Sequence, residues 1–174
     1  MVSKRERFFA DIPAGMEDWV ANRLVSAHLR ILVALILGHL FNTAFVTIAF
    51  YDVAPKGWLV AGVAAAMAIC SNRYWFSTGT SRRAARKNPR RAILHLELNS
   101  LALGALAGGS IFALMGVGTP MHQMLLAVVG TTMIAAAAYT MRTLPRAALA
   151  YIALISIGLI AGMLHTGSLQ ATAA

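Results

Sequence analysis

Five apolar runs, each about as long as a membrane-spanning helix, constrain the fold of this sequence more than any other feature. Crossing a hydrocarbon core of about 30 Å takes roughly 20 residues at a helical rise of about 1.5 Å per residue. Open strands cannot cross lipid, because their backbone groups would be left unpaired. The sequence therefore predicts an all-α, polytopic membrane helix bundle with about five transmembrane helices. The predicted spans are 31–51, 57–76, 92–115, 120–141 and 145–164.

Composition supports a membrane protein over a nucleic-acid-binding protein. Hydrophobic residues make up 59% of the 174 residues and charged residues only 12%, too little polar surface for a soluble domain of this length. The net charge of +9 would suit nucleic acid. However, the charges lie between the apolar runs, as the flanks of membrane helices do, and no aromatic interleaving accompanies them. We therefore expect no nucleic-acid partner.

The distribution of basic residues predicts the orientation. If the five spans alternate, Lys56 is the only one of the 15 basic residues on its side of the membrane. The positive-inside rule then places the N-terminus in the cytoplasm. The loop "SRRAARKNPRR" is predicted to contact the anionic headgroups of the bilayer. Its basic residues are Arg82, Arg83, Arg86, Lys87, Arg90 and Arg91.

The two ends of the chain carry separate expectations. Residues 1–30 are predicted to form a cytoplasmic segment, because apolar positions from Met16 onward recur at helical spacing and indicate an amphipathic helix on the inner surface. Residues 31–174 are predicted to form the transmembrane domain. The last residues, "SLQATAA", resemble the first turn of a sixth helix, so we expect the chain to be the membrane portion of a longer protein.

Polar residues within the spans are the first candidates for function, because each costs free energy in lipid. His39, Asn42 and Thr43 form a polar stripe in the first span, and His95, Glu97 and Asn99 lie in the third. They are candidate ligand-binding or signal-sensing residues. The alternative is that they form hydrogen bonds between helices and that Glu97, the only acid in a span, pairs with Arg30 or Arg146.

Histidines and methionines raise the question of a metal or haem. Haem would need two imidazoles at matching depth, and the histidines of the spans lie at different depths. Thioethers with imidazole suit Cu(I), and candidate ligands cluster at the outer ends of the last two spans. These are Met121, His122, Met124 and His165. Ordinary packing is the alternative for all four, so no cofactor is expected. Cys70 is the only cysteine, and the sequence around it lacks the further ligating residues that a metal site needs.

Two small-residue motifs predict close helix packing. "GALAG" carries Gly104 and Gly108, and "GLIAG" carries Gly158 and Gly162. Such faces let helix backbones approach closely, either within one chain or across a homodimer.

The segments "RYW" (residues 73–75), the arginine loop and "LPRAA" (residues 144–148), in this order among the spans, resemble the membrane-associated sensor (MASE-type) regions of bacterial diguanylate cyclases. The resemblance implies a sensory module in a bacterial inner membrane that controls a cytoplasmic GGDEF-type domain, which this chain does not contain. No catalytic residue is implied, and we expect no enzymatic activity in this chain. A small transporter or channel, and an accessory subunit of a larger membrane complex, are the alternatives.

Overall fold

The computed structural model describes the backbone of residues 17–77, 89–142 and 144–173. These residues form helices joined by short turns, and no strand occurs among them. The chain is thus an all-α bundle, as the apolar runs predict. The helices are α1 Glu17–Ala49, α2 Lys56–Ser77, α3 Pro89–Met115, α4 Pro120–Thr140 and α5 Pro145–Ala173.

Proline begins three of these helices. Pro89, Pro120 and Pro145 stand at the first positions of α3, α4 and α5. The first turn of a helix has no intrahelical acceptor for its N–H groups, so a residue that lacks one costs little there. The proline positions in the sequence therefore mark where the helices start.

The predicted amphipathic segment at the N-terminus leads directly into the first span. The 33 residues of α1 are continuous, so the amphipathic segment and the first span are one helix. Nothing between Glu17 and Ile31 breaks it, since this stretch has neither proline nor glycine. Val25 is only 1% exposed and packs with Ala92 and Phe76. This part of α1 therefore covers the ends of α2 and α3.

The segment 168–173 does not begin a separate helix in the structure. Residues 168–173, expected to open a sixth helix, continue α5 without a break. Gly167 does not end α5, because a helix interior tolerates glycine, at a cost of about 1 kcal/mol relative to alanine.

Four of the described helices are long and apolar enough to cross a membrane, by length and composition. They are α1, α3, α4 and α5, through the segments Ile31–Ala49, Arg91–Met115, Pro120–Thr140 and Pro145–Thr166. The remaining predicted span, the second, corresponds to α2, which has 22 residues but is less apolar, because its last two turns include Ser71, Asn72 and Arg73.

Contacts between the helix ends define two ends of the bundle. At one end, which we call the basic end, Leu96 of α3 packs with Leu144 and Ala147 at the start of α5. At the opposite end, the Nε2 atom of His122 in α4 lies 3.1 Å from the carbonyl oxygen of Ala49. Successive helices therefore run antiparallel through the bundle.

The pair α3 and α5 forms the most extensive helix contact. A Cβ atom added to Gly108 would overlap the carbonyl oxygen of Leu154, and one added to Gly158 would overlap the carbonyl oxygen of Gly108. Gly104 faces the backbone of Tyr151, and Gly162 faces the side chain of Met115. The four glycines of the predicted packing motifs thus lie at contacts within one chain.

Candidate functional site

A cavity of about 510 Å³ lies between α1, α2, α3 and α4. Its lining comes from residues 39–47 of α1, 58–65 of α2, 105–114 of α3 and 126–133 of α4. All four stretches lie away from the basic end of the bundle. A volume of 300–1,000 Å³ is typical of small-molecule sites, and such sites are mostly apolar with a few polar groups. The cavity is therefore the leading candidate for a ligand site in the described part of the chain.

The polar stripe predicted in the first span lines this cavity. His39, Asn42, Thr43 and Thr47 are all among the lining residues. They recur three and four residues apart, so they share one face of α1. His39 is buried, at 8% exposure. The structure therefore brings His39, Asn42 and Thr43 together at one surface, as the spacing predicts.

Hydrogen bonds determine what this stripe can offer a ligand. The hydroxyl of Thr43 donates to the carbonyl oxygen of His39 at 2.9 Å, and the hydroxyl of Thr47 donates to that of Thr43 at 2.7 Å. Each threonine thereby uses its only proton and presents only lone pairs. The His39 ring and the Asn42 amide form no hydrogen bond with other described residues. On the stripe, these two groups are the donors that a ligand can use, and the lining from the other helices adds the Ser110 hydroxyl and the Trp58 ring N–H.

Small residues create the empty space. The walls from α2 and α3 include Ala61, Gly62, Ala65, Ala105 and Gly109. A Cβ atom added to Gly62 or Gly109 would meet nothing within 4 Å, so both glycines face open space. Ala61, Ala105 and Gly109 are also exposed at the surface of the bundle. The cavity therefore communicates with that surface, and a ligand can enter from the side.

Sequence reasoning missed Arg73. The orientation prediction counts it only as one of the basic residues on the cytoplasmic side, whereas in the structure it lies in α2 and is 1% exposed. It interacts electrostatically with His39 of α1, with Cys70 of its own helix and with Tyr151 of α5. The only sequence signal was its position inside the "RYW" segment, before the loop begins. Arg73 thus connects the His39 end of the cavity to the basic end of the bundle.

The candidate residues of the third predicted span, which is α3 in the structure, lie outside the cavity. Asn99 is buried and accepts a hydrogen bond of 3.1 Å from the amide of Asn72 in α2, so it joins two helices. The His95 ring packs against Phe76, with ring centroids 4.4 Å apart. None of His95, Glu97 and Asn99 lines the cavity. Asn99 therefore forms a hydrogen bond between helices, which is the alternative to a ligand-binding role that the sequence predicts for these residues.

The predicted pairing of Glu97 with Arg30 or Arg146 stays a prediction. Glu97 is half-buried in α3, and Arg146 is exposed on the first turn of α5. The side chain of Arg30, the other predicted partner, lies outside the described residues.

Each candidate metal ligand at the end opposite the basic end has its own surroundings. Both ring nitrogens of His122 have partners: Nδ1 lies 2.6 Å from the hydroxyl of Thr119, and Nε2 contacts Ala49. Met121 and Met124 are 80% and 72% exposed. His165 packs against Phe112 in α3, with ring centroids 6.0 Å apart. The described residues hold no group of three or more His, Cys, Asp or Glu side chains suited to a metal ion.

The basic loop falls largely outside the described residues. Arg82, Arg83, Arg86 and Lys87 are not described, nor is the side chain of Arg90. Arg91 is exposed at the start of α3, at the basic end, where headgroup contact is predicted.

Comparison of the chain with protein-family models, with curated proteins and with solved structures finds no match in any of the three. Any functional conclusion therefore depends on the geometry of the chain itself.

Proposed function

We propose that this chain is a membrane-embedded sensory module that binds its signal molecule in the cavity between α1, α2, α3 and α4. The observation that carries the proposal is a cavity of about 510 Å³ in the apolar bundle, with one polar stripe on one wall. Each polar group inside a membrane costs free energy, so a set of them facing one cavity indicates a binding role.

Arg73 supplies a route from this cavity to the cytoplasmic side. It interacts with His39, which lines the cavity, and with Tyr151 near the start of α5. A ligand that changes the position of His39 changes the surroundings of the buried charge of Arg73, which lies in α2 and interacts with residues of α1 and α5. Such a ligand shifts the balance between two helix packings only if it binds one packing better than the other.

The resemblance to MASE-type sensor regions supports a cyclic-di-GMP output. In this proposal the basic end faces the cytoplasm of a bacterium. Because α5 starts at the basic end and ends on the opposite side, a further crossing in a longer protein would return the chain to a cytoplasmic GGDEF-type domain. The chain itself would perform no chemistry. The alternative of an ion path through the polar stripe and Glu97 has less support, because Glu97 does not line the cavity.

The test is to fill the cavity without disturbing the packing of the helices. Gly62→Leu and Gly109→Leu place a side chain in open space, since nothing lies within 4 Å of either Cβ position. Gly38→Leu is the matched control, because Gly38 has the same free space but does not line the cavity. The readout is the cellular cyclic-di-GMP concentration, with each variant introduced into the gene at its own locus.

We expect both filling variants to hold cyclic-di-GMP at one fixed level across growth conditions, while Gly38→Leu responds like the wild type. Membrane insertion and thermal stability of the three variants should match. If all three respond like the wild type, the cavity has no sensory role. Ion flux into vesicles that is lost in the filling variants would instead establish the transporter alternative.

A further inference from the structure

We infer that the cavity selects an uncharged, membrane-soluble molecule that presents a hydrogen-bond acceptor, such as a carbonyl oxygen, to His39 and Asn42. This inference rests on the proposed function, because it names the class of ligand for the same cavity. It follows from the charge, the hydrogen-bonding capacity and the position of the lining groups.

The charge of the ligand follows from the lining. None of the residues that line the cavity is Asp, Glu, Lys or Arg. An ion that leaves water for a site of low dielectric constant loses several kcal/mol of hydration free energy, which only a direct, well-oriented partner can offset. The cavity walls offer no such partner. An uncharged ligand avoids this cost.

The acceptor on the ligand follows from the donors on the stripe. The hydroxyl protons of Thr43 and Thr47 are already donated to backbone carbonyls. The His39 ring and the Asn42 amide keep their N–H groups for the ligand. They lie three residues apart on one face of α1, so a single oxygen atom with two lone pairs can accept from both.

Arg73 favours the same polarity. Its charge interacts with His39 but does not line the cavity. The His39 end of the cavity therefore has a positive potential, which stabilises the partial negative charge of a carbonyl oxygen. Because the guanidinium group is not exposed in the cavity, it cannot give a carboxylate the direct contacts that offset the loss of hydration.

Apart from the Ser110 hydroxyl and the Trp58 ring N–H, the remaining wall is apolar and fits an apolar body. Leu59, Val63, Leu106, Ile111 and Leu126 contribute to it, together with the alanines and glycines. The polar stripe from His39 to Thr47 is about 12 Å long at helical rise. A ligand with one polar head and an apolar chain fits this arrangement, with the head at His39 and the chain along α2 and α3.

A tryptophan in the lining provides the measurement. Trp58 lines the cavity, whereas Trp75 lies in the last turns of α2, near the basic end, and does not. Trp19→Phe with Trp75→Phe leaves Trp58 as the single tryptophan, and Trp19→Phe with Trp58→Phe leaves Trp75 as the control. Bromine quenches tryptophan fluorescence on contact. The probes are decane, decanone and decanoate, each brominated on the chain and added to the purified chain in lipid nanodiscs.

We expect bromodecanone to quench Trp58 saturably, with half-saturation at a concentration about tenfold lower than for bromodecane, as one or two net hydrogen bonds imply. Quenching of Trp75 should rise only linearly, because it reports partition into the bilayer. His39→Phe and Asn42→Leu should each reduce the preference for decanone to the level of decane. Gly109→Leu should remove saturable quenching by every probe.

Two contrary results separate this inference from the proposed function. If bromodecanoate binds more tightly than bromodecanone, or if the His39 and Asn42 variants keep the preference for decanone, the ligand class is wrong while the cavity remains a binding site. If no probe quenches Trp58 differently from Trp75, the cavity does not bind such molecules, and the proposed function fails with the inference.

Discussion

Arg73 shows why a single residue can carry more structural information than its place in the sequence suggests. Arginines near the end of a membrane helix usually extend their side chains toward the headgroups, so Arg73 is naturally assigned to the basic loop that follows. In the structure it is buried and interacts electrostatically with His39 and with Tyr151, which is 78 positions away in the sequence. Spacing along one helix cannot reveal an interaction of this kind.

Replacing Arg73 should destabilise the bundle. Arg73→Ala removes a side chain that is 1% exposed and leaves its polar neighbours facing a void, so we expect a loss of roughly 2–5 kcal/mol. Arg73→Met retains most of the volume and should fall between Arg73→Ala and the wild type. The measurement is thermal unfolding in detergent. Arg142→Ala, at an exposed position, is the control, and an equal melting temperature for Arg73→Ala and Arg142→Ala would contradict the prediction.

The hydrogen bond between Asn72 and Asn99 is a second residue-scale test. The amide of Asn72 donates to Asn99 at 3.1 Å and joins α2 to α3. A double-mutant cycle with Asn72→Ala and Asn99→Ala should give a coupling free energy of about 0.6 kcal/mol and at most about 1.7 kcal/mol, the range found within membrane bundles. Unfolding of the four proteins in detergent measures it. Strictly additive losses would show that the bond contributes nothing.

At the scale of the helices, the sequence is informative about where each element starts and what it packs against. Prolines mark the starts of α3, α4 and α5, and the glycine motifs mark the faces of α3 and α5 that meet. The sequence could not show whether these faces meet within one chain, because the motif is the same in either case.

The crossing of α3 and α5 should tolerate no side chain at its centre. In Gly108→Ala the new Cβ atom would overlap the carbonyl oxygen of Leu154, and backbone cannot move aside without separating the helices. We expect a loss of about 1–3 kcal/mol, as overpacking generally gives. The neighbouring Gly109→Ala is the control, because its Cβ atom meets nothing within 4 Å. Thermal unfolding compares the two, and equal stability would contradict this crossing geometry.

At the scale of the whole molecule, the cavity depends on residues that are small and widely separated in sequence. Gly62 in α2 and Gly109 in α3 face the same space only because the bundle brings their helices together. The polar stripe can be recognised from the sequence of one helix, whereas the cavity volume depends on how four helices pack. The sequence could therefore predict the polar wall of the candidate site but not the cavity itself.

The arrangement of the whole bundle also explains how α2 can cross a membrane although it is less apolar than the other helices. The residues that lower its hydropathy are used inside the protein: Arg73 is buried, and Asn72 bonds to Asn99. In addition, His122 contacts the carbonyl oxygen of Ala49, which places the turn before α2 and the turn before α4 at the same end. This geometry requires α2 to cross whenever α1 and α3 do.

Cysteine labelling tests both this crossing and the orientation. Cys70 is 3% exposed and can be replaced by serine, and single cysteines can then stand at the exposed positions Asp52, Val117 and Arg142. With five crossings and a cytoplasmic basic end, an impermeant maleimide should label Asp52→Cys and Val117→Cys on intact cells. Arg142→Cys should react only after the membrane is opened. The reverse pattern at all three positions would invert the orientation and leave the bundle intact. If α2 does not cross, Asp52→Cys still reacts from outside, but Val117→Cys becomes protected and Arg142→Cys accessible, which would contradict the contact between His122 and Ala49.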